Sequence, residues 1–177
     1  MRSRDALIEW LRAGGKAKYL FFWGHEQRAE IGKQCLSQWY PAPFVVDGVL
    51  YPTAEHFMMA GKARLFADAD ALQQILAASH PKRAKDLGRR VRGFDEASWE
   101  KARFEIVVAG SVAKFGQNAE LGEFLRKTSG RVLVEASPAD EIWGIGLAED
   151  HPDAREPERW RGLNLLGFAL MEARSRL

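Results

Sequence analysis

Phe44-Val-Val-Asp-Gly-Val-Leu-Tyr51, followed at once by Pro52-Thr-Ala-Glu-His56, is the stretch that decides the fold. An Asp-Gly pair between two apolar runs predicts a tight β-hairpin, because both central residues of such a turn adopt positive φ. The proline and threonine interrupt the strand pattern, and Ala54 to Leu65 then predicts a helix. The centre of the predicted fold is therefore a small antiparallel sheet that leads directly into a helix.

Outward from this stretch the pattern is mostly helical. The further predicted elements are helices at Asp5–Arg12, Asp70–Ala78, Pro81–Arg90, Glu96–Phe115, Asn118–Lys127 and Leu163–Arg176, and strands at Tyr19–Trp23 and Arg131–Glu135. Ser137 to Trp160, with three prolines and many charges, is predicted to be mostly loop. The expected fold class is α+β, predominantly α-helical with a small antiparallel sheet. Residues 1–18 are expected to form an N-terminal helix and linker, and residues 19–177 a single domain.

Composition restricts the class of protein. The 177 residues carry a formal net charge of +2, which gives no general attraction to duplex nucleic acid or to a membrane. A single cysteine, Cys35, excludes an intrachain disulfide, and the four histidines are too scattered for a structural zinc site. With no signal peptide and no long apolar run, a cytoplasmic location is expected. No stable protein partner is predicted.

Glu55 and Lys62 are seven residues apart on the predicted helix, so their side chains share one face. Met58 and Met59 lie between them. A carboxylate among apolar side chains has a raised pKa and works as an acid or base near neutrality, whereas a desolvated amine becomes nucleophilic. The spacing of Glu55 and Lys62 is also typical of two solvent-exposed charges on a helix whose methionines pack in the core.

Two further segments carry candidate binding residues. Asp140-Glu-Ile-Trp-Gly-Ile-Gly146 places Trp143 before a Gly-x-Gly, which is typical either of backbone in close contact with a ligand or of an ordinary turn. Asn164 stands where the loop becomes the last helix, a good N-cap and also an anion-binding position. In the basic stretch Pro81–Arg90, which is mostly a solvated face, Arg89 is best placed for a phosphate.

Taken in order, these segments resemble the YbiA-like family, also called NADAR. The resemblance covers nearly the whole chain, from about Tyr19 to Arg174. The matching pieces are Phe21-Phe22, Leu36-Ser37, Pro43–Gly48, Tyr51–Phe57, Lys62-Ala63, Ala84–Arg89, Trp99, Lys114-Phe115, Gln117-Asn118, Leu133–Glu135, Asp140, Trp143–Gly146, Trp160, Gly162–Gly167 and Leu170–Arg174. A series of matching motifs in one order is far more specific for a family than any single motif in the series.

The resemblance implies a mainly helical fold and an N-glycosidase without metal or cofactor. It implies catalytic roles for Glu55, Lys62 and Asp140. The substrate-binding residues that it implies are Trp143, Asn164, Arg89, Trp99, Gly144 and Phe22. Glu55 is expected at the ribose centre, Asp140 on ribose hydroxyls and Trp143 on the base. Lys62 is expected either to donate a proton or contact phosphate, or to capture opened ribose as an imine.

The resemblance leaves the substrate open between two classes. One is the phosphorylated ribosylamino-pyrimidines of early riboflavin synthesis, and the other is ADP-ribose attached to guanine. A non-catalytic sensor of NAD-derived nucleotides is the alternative of another class. The chain has Gln38 where the family usually has Asn, and the segment 147–160 is long and acidic, so specificity is expected to differ from that of typical members.

Overall fold

The computed structural model describes all 177 residues. It contains seven α-helices, four short strands and three 3₁₀ helices. The α-helices are α1 (Arg4–Arg12), α2 (Ala54–Leu65), α3 (Ala69–Leu76), α4 (Pro81–Gly88), α5 (Glu96–Gln117), α6 (Ala119–Lys127) and α7 (Leu165–Ser175). The strands are β1 (Lys18–Phe22), β2 (Phe44–Val46), β3 (Val49–Tyr51) and β4 (Arg131–Glu135). The prediction of a predominantly helical α+β fold is confirmed.

The predicted hairpin is formed by β2 and β3, which pair antiparallel with Phe44 opposite Tyr51. Asp47 and Gly48 have φ values of 51° and 75°, as the Asp-Gly turn requires. Thr53 then caps α2 by accepting a hydrogen bond from the backbone N–H of His56. The hairpin and the cap together fix where the first turn of α2 begins.

A second, parallel sheet was not predicted. It joins β1 to β4 with Lys18 opposite Arg131 and Phe22 opposite Glu135. The sequence showed both strands but not their pairing, because more than a hundred residues of mostly helical chain separate them. On the other side of β4 lies α7, where Gly167 allows the helix backbone to approach the carbonyl of Leu133. The strand is thus held between β1 and α7.

Helix α2 is central to the main core and packs against α3, α4 and α5. Its buried Met58 and Met59 occupy that core. Helix α4 comes close to α2 because Gly88 faces Met59, where any larger side chain would collide with the methionine sulfur. This close approach places the basic end of α4 over the face of α2 that carries Glu55.

The segment predicted as loop, residues 137–160, contains 3₁₀ helices at Pro152–Arg155 and Pro157–Arg159. Its apolar side chains form a second core with Leu7 of α1. Arg4 ties the same helix down by donating from Nη1 to the carbonyl of Trp160 at 2.9 Å. Helix α1 therefore packs on the rest of the chain, and the boundary at residue 18 stays a prediction. No helix of the structure is both long and apolar enough to cross a membrane.

Candidate active site

Two adjoining cavities lie between α2, α4 and the segment after β4. The inner cavity has a volume of about 140 Å³ and is lined by Glu55, Met58, Met59, Lys62, Gly88, Arg89, Trp99, Trp143 and others. The outer cavity has a volume of about 330 Å³ and is lined on its own side by Phe22, Trp23, Gly24, His25, Ser137 and Ala139. The wall common to both cavities, called the shared wall below, consists of Ser37, Trp39, Lys85, Glu135 and Asp140.

Glu55 lies in the first turn of α2 and is only 2% exposed. Its backbone N–H donates to the carbonyl of Gln38 at 3.0 Å, which fixes the start of the helix against the inner cavity. Its Oε1 is buried and has no hydrogen-bond partner. Burial raises the pKa of this carboxyl to about 7, an effect opposed by nearby Lys85 and by the side chain of Trp39. A carboxyl in this state exchanges a proton near neutral pH.

Lys62 lines the inner cavity together with Glu55, as their spacing on one helix face predicts. Its Nζ lies 4.1 Å from the ring centroid of Phe94 and 5.4 Å from that of Trp99. Burial lowers the pKa of the amine, and the charge of Glu96 partly opposes this shift. Trp99 is itself 7% exposed, so it serves both as core and as wall of the cavity.

Asp140 is held by its own loop. Its Oδ1 accepts hydrogen bonds from the backbone N–H of Ile142 at 2.9 Å and of Trp143 at 2.7 Å. The second carboxylate oxygen, Oδ2, makes no such bond to the loop. The second of these bonds fixes the backbone of Trp143, whose side chain lines the inner cavity beside the shared wall.

Gly144 lines neither cavity. A Cβ at this position would lie 2.9 Å from the carbonyl oxygens of both Asp140 and Glu135. The glycine thus lets the loop fold tightly onto the end of β4, and the structure gives it a packing role where the sequence indicated a substrate contact. Phe22, also predicted to bind substrate, is 1% exposed and borders only the outer cavity.

Asn164 does not line either cavity and is completely buried. It occupies the N-cap position of α7, but with a left-handed φ of 54° and without a side-chain capping bond, so the prediction of a capping side chain is wrong. Its amide instead bonds the edge of β4: Nδ2 donates to the carbonyl of Leu133 and Oδ1 accepts from the N–H of Glu135, each at 2.9 Å. Both functions of the amide are therefore used inside the fold.

Helix α4 supplies two cations one turn apart. Arg89, predicted from the sequence, is exposed and lines the inner cavity, with Nη1 3.7 Å from Oδ1 of Asp86. Lys85 lies on the shared wall and was missed, because the whole basic stretch was assigned to a solvated face. The spacing of four residues between Lys85 and Arg89 is the signal that places both on one face.

Glu135 is the main site residue that the sequence analysis did not select. It ends β4, where its side chain enters the shared wall, and its Oε2 is buried without a hydrogen-bond partner. Burial raises the pKa of this carboxyl to about 8, and the charges of Asp140 and Glu55 act in the same direction. The sequence does show that Glu135 is a charged residue at the end of a short apolar strand. Only the parallel pairing of β4 with β1 shows that its side chain enters the cavity wall.

Lys114 supports the site from behind. It is 1% exposed, and its Nζ donates to the carbonyls of Cys35 at 2.7 Å and Ser37 at 2.8 Å. Burial lowers the pKa of this amine to about 7. The lysine thereby anchors the 3₁₀ helix Lys33–Leu36 and the residues that follow it in the cavity walls.

The two features expected to alter specificity are placed differently. Gln38 is 8% exposed and lines the inner cavity, where it is in a position to affect a ligand. Segment 147–160 borders neither cavity. Among the described residues, no group of three or more His, Cys, Asp or Glu side chains is arranged to hold a metal ion.

Comparison with known proteins places the chain in a family. The model of the NADAR domain matches residues 21–177. An N-glycosidase of Acanthamoeba polyphaga mimivirus is 41% identical over 162 residues, which cover 89% of this chain and 95% of that protein. The maize riboflavin biosynthesis protein PYRR, chloroplastic, is 36% identical over 141 residues, 74% of this chain and 20% of that protein.

A solved structure agrees with this assignment. The NMR structure of the Escherichia coli protein YbiA superposes with a TM-score of 0.71 at 28% sequence identity, covering 92% of this chain and 86% of that one. The family match, the long alignment with the viral relative and the shared fold are consistent with the ordered motifs. The chain belongs to the NADAR domain family.

Proposed function

We propose that this protein is an N-glycosidase that hydrolyses the bond between ribose C1′ and nitrogen in phosphorylated ribosylamino-pyrimidines of early riboflavin synthesis. The observation that carries the proposal is Glu55: a buried carboxyl with an unpartnered oxygen, facing a cavity that also contains amine and guanidinium groups. The family relatives that are named N-glycosidases support the reaction class.

Breaking the C1′–N bond builds positive charge on the ribose ring. An ionised Glu55 next to C1′ stabilises that charge, and because Glu55 is only 2% exposed the interaction is weakly screened by water. With a pKa of about 7, a large fraction of Glu55 is ionised at neutral pH, so it also accepts a proton from the attacking nucleophile. A carboxyl with an ordinary pKa would be a weaker base for this step.

The remaining cavity residues bind the rest of the substrate. Arg89, at the exposed end of α4, contacts the phosphate. Asp140, with Oδ1 fixed by its loop, offers Oδ2 to ribose hydroxyls. Trp143 stacks on the base beside the shared wall. Lys62 either contacts phosphate or attacks opened ribose, and its lowered pKa favours the free amine that the second role needs.

Two observations bear on the choice of substrate. The maize relative is named as a riboflavin biosynthesis protein, which supports the ribosylamino-pyrimidines. The outer cavity, with more than twice the volume of the inner one, leaves room for a larger molecule and favours ADP-ribosyl-guanine as the second candidate. A sensor of NAD-derived nucleotides needs aromatic and phosphate contacts but has no use for the buried, unpartnered carboxyl of Glu55.

The deciding experiment is turnover of both substrate classes by the same preparation, with released base and sugar separated by liquid chromatography. We expect the ribosylamino-pyrimidine phosphate to be hydrolysed with the higher kcat/KM. Preferred hydrolysis of ADP-ribosyl-guanine would select the second candidate. Tight binding of ADP-ribose with hydrolysis of neither substrate would select the sensor and refute the enzymatic proposal.

A further inference from the structure

We propose that Glu135 is a second catalytic carboxyl of this site and donates the proton to the nitrogen that leaves ribose C1′. The inference rests on the proposed function and deepens it. It assigns a proton donor to the leaving nitrogen, a role that Glu55 does not fill because it is assigned to the ribose centre.

The first argument is position. Glu55 borders only the inner cavity, whereas Glu135 borders both cavities from the shared wall. Arg89 and Glu55 both line the inner cavity, so in the proposed binding mode the phosphate lies toward Arg89, the ribose lies beside Glu55, and the nitrogen is directed at the shared wall. The two carboxyls then lie on different sides of the bond to be broken. Glycoside hydrolysis commonly uses this division between one carboxyl for the ribose side and one for the leaving group.

The second argument is how the fold treats Glu135. Its backbone is fixed on both sides: the N–H donates to Oδ1 of Asn164 and the carbonyl accepts from the N–H of Ile145, each at 2.9 Å. Its side chain, in contrast, has a buried Oε2 without any partner. Buried polar atoms in folded proteins are nearly always hydrogen-bonded. The backbone of Glu135 is therefore fixed, while its carboxyl oxygen Oε2 makes no bond within the fold and is available to a ligand.

The third argument is charge. The groups that face Glu135 are Glu55 from α2, Asp140 from the loop after β4, and Lys85 from α4. Burial and the two neighbouring carboxylates favour the protonated form of Glu135, and only Lys85 opposes them, so its pKa lies at about 8. Glu55, in contrast, faces one carboxylate, Asp140, and two cations, Lys85 and Arg89. The surrounding charges therefore favour the proton on Glu135, at the wall, and leave Glu55 as the proton acceptor at the ribose.

The step balances. The C1′–N bond breaks, its electron pair goes to nitrogen, and the carboxylic proton of Glu135 passes to that nitrogen, which leaves as a neutral amine. With water as the nucleophile, the new C1′–O bond forms and the water gives a proton to Glu55. With the Lys62 amine as the nucleophile, a C1′–Nζ bond forms and the amine proton goes to Glu55. In that route water then adds to C1′, the C1′–Nζ bond breaks with its electron pair and a proton of the water going to Nζ, and ribose is released. After release of the products, Glu55 loses a proton to solvent and Glu135 gains one, which restores the starting state.

The test compares Glu135→Gln and Glu135→Asp with wild type on the ribosylamino-pyrimidine phosphate. We expect Glu135→Gln to lower kcat by about 10²–10⁴, the range of general acid catalysis, and to change KM by less than about threefold. Wild-type kcat falls above about pH 8 as Glu135 ionises, and this alkaline decrease is lost in the Gln variant. Glu135→Asp recovers part of kcat, since it keeps an acid. Glu120→Gln, an exposed carboxyl on α6, is the matched control.

Three outcomes would overturn the proposal. The first is a Glu135→Gln enzyme with more than about a tenth of wild-type kcat, and the second is a loss of activity that leaves the pH profile unchanged. The third is a Gln variant that has both a lowered Tm and a lowered kcat, combined with an Asp variant that recovers none of the lost kcat. This combination would indicate that Glu135 has a purely structural role. A wild-type protein that hydrolyses neither substrate class refutes the proposed function and this assignment together, whereas an active Glu135→Gln beside an active wild type refutes only this assignment.

Discussion

The backbone N–H of Glu135 donates a hydrogen bond to Oδ1 of Asn164 across 2.9 Å, while Nδ2 of the same amide donates to the carbonyl of Leu133. Strand β4 pairs with β1 along one edge, so Asn164 satisfies the other edge at the point where the strand enters the site. In the mechanism that we propose, Asn164 therefore acts through the backbone of Glu135 and is a positioning residue.

Asn164→Ala is expected to destabilise the protein by about 2–4 kcal/mol, because it leaves one donor and one acceptor of β4 buried without partners. For a chain of this size the Tm falls by about 5–15 °C. We expect kcat to decrease as Glu135 becomes mobile, while KM changes little. Thermal unfolding and steady-state kinetics measure the two effects. An unchanged Tm with a strongly raised KM would instead indicate a direct substrate contact.

Glu55→Gln is expected to abolish hydrolysis, with kcat lower by at least about 10². The variant should nevertheless be more stable than wild type at pH 8, because it removes a buried carboxylate whose desolvation is only partly offset by Lys85, Arg89 and the side chain of Trp39. The shift of the pKa from 4.5 to about 7 corresponds to a gain of up to about 3 kcal/mol. Unfolding by urea at pH 8, beside an activity assay, measures both.

The control for Glu55→Gln is Glu120→Gln, an exposed carboxyl on α6 that should alter neither activity nor stability appreciably. A Glu55→Gln protein with most of the wild-type activity would contradict the assignment of Glu55 to the ribose centre. A variant that is inactive but also less stable at pH 8 would mean that the carboxylate is compensated inside the fold.

The free energy of unfolding of the wild-type protein is expected to fall as the pH rises from about 5 to 7. Glu55 and Glu135 have raised pKa values in the folded state, about 7 and about 8, so the folded state binds more protons than the unfolded one in this range. The two protonated carboxyls stabilise the fold fully at a pH below the pKa that they have in the unfolded chain. This contribution is lost as the pH rises through the pKa values that they have in the folded state. Urea titrations at pH 5, 6, 7 and 8 measure this slope. A double Gln variant with the same slope as wild type would contradict the explanation.

Lys62→Ala is expected to reduce kcat/KM by about 10² or more, and Lys62→Arg to be similarly impaired. The reason is that a guanidinium stays protonated and cannot form an imine, whereas the amine of Lys62 has a lowered pKa. Treatment with borohydride during turnover should trap a sugar adduct on wild type and not on Lys62→Ala, as measured by intact-protein mass. Lys101→Ala, an exposed lysine on α5, serves as control. An active Lys62→Arg enzyme would show that only the positive charge matters.

The elements of this fold could largely be predicted because their signals are local. The Asp-Gly turn and the bounds of α2 depend on neighbours in the chain, and the structure has them where the sequence predicts them. The parallel pairing of β1 with β4 depends on residues far apart, and no local pattern reports it.

The candidate site likewise combines residues that local patterns predict with residues that only contacts between distant parts of the chain bring in. Glu55 and Lys62 share a helix, so their spacing alone places them together. Glu135 and Lys85 enter the site only through the pairing of β4 and the approach of α4 to α2, and the sequence did not select them. Asn164 was selected as a substrate-binding residue, with a helix cap as the alternative, but it lines neither cavity and its amide bonds a strand that precedes it by some thirty residues in the chain.

Lys114 gives the last prediction, because it is a buried amine with two backbone carbonyls and no carboxylate as partners. Its pKa is lowered from 10.5 to about 7, so between pH 7 and 10.5 the unfolded state binds the additional proton and stability rises with pH. Together with the opposite slope from the two carboxyls below pH 8, this places a stability minimum of the wild type near pH 7–8.

Lys114→Met should remove the alkaline rise while roughly conserving side-chain volume. It also frees the carbonyls of Cys35 and Ser37, so the shared wall loosens and kcat/KM falls by about tenfold, a loss of about 1.4 kcal/mol in transition-state stabilisation. Urea unfolding between pH 7 and 10, combined with kinetics at pH 7, measures both effects. If the variant keeps the alkaline rise, Lys114 is not the titrating group. If it loses the rise but keeps full activity, the anchoring of Ser37 does not matter for the site.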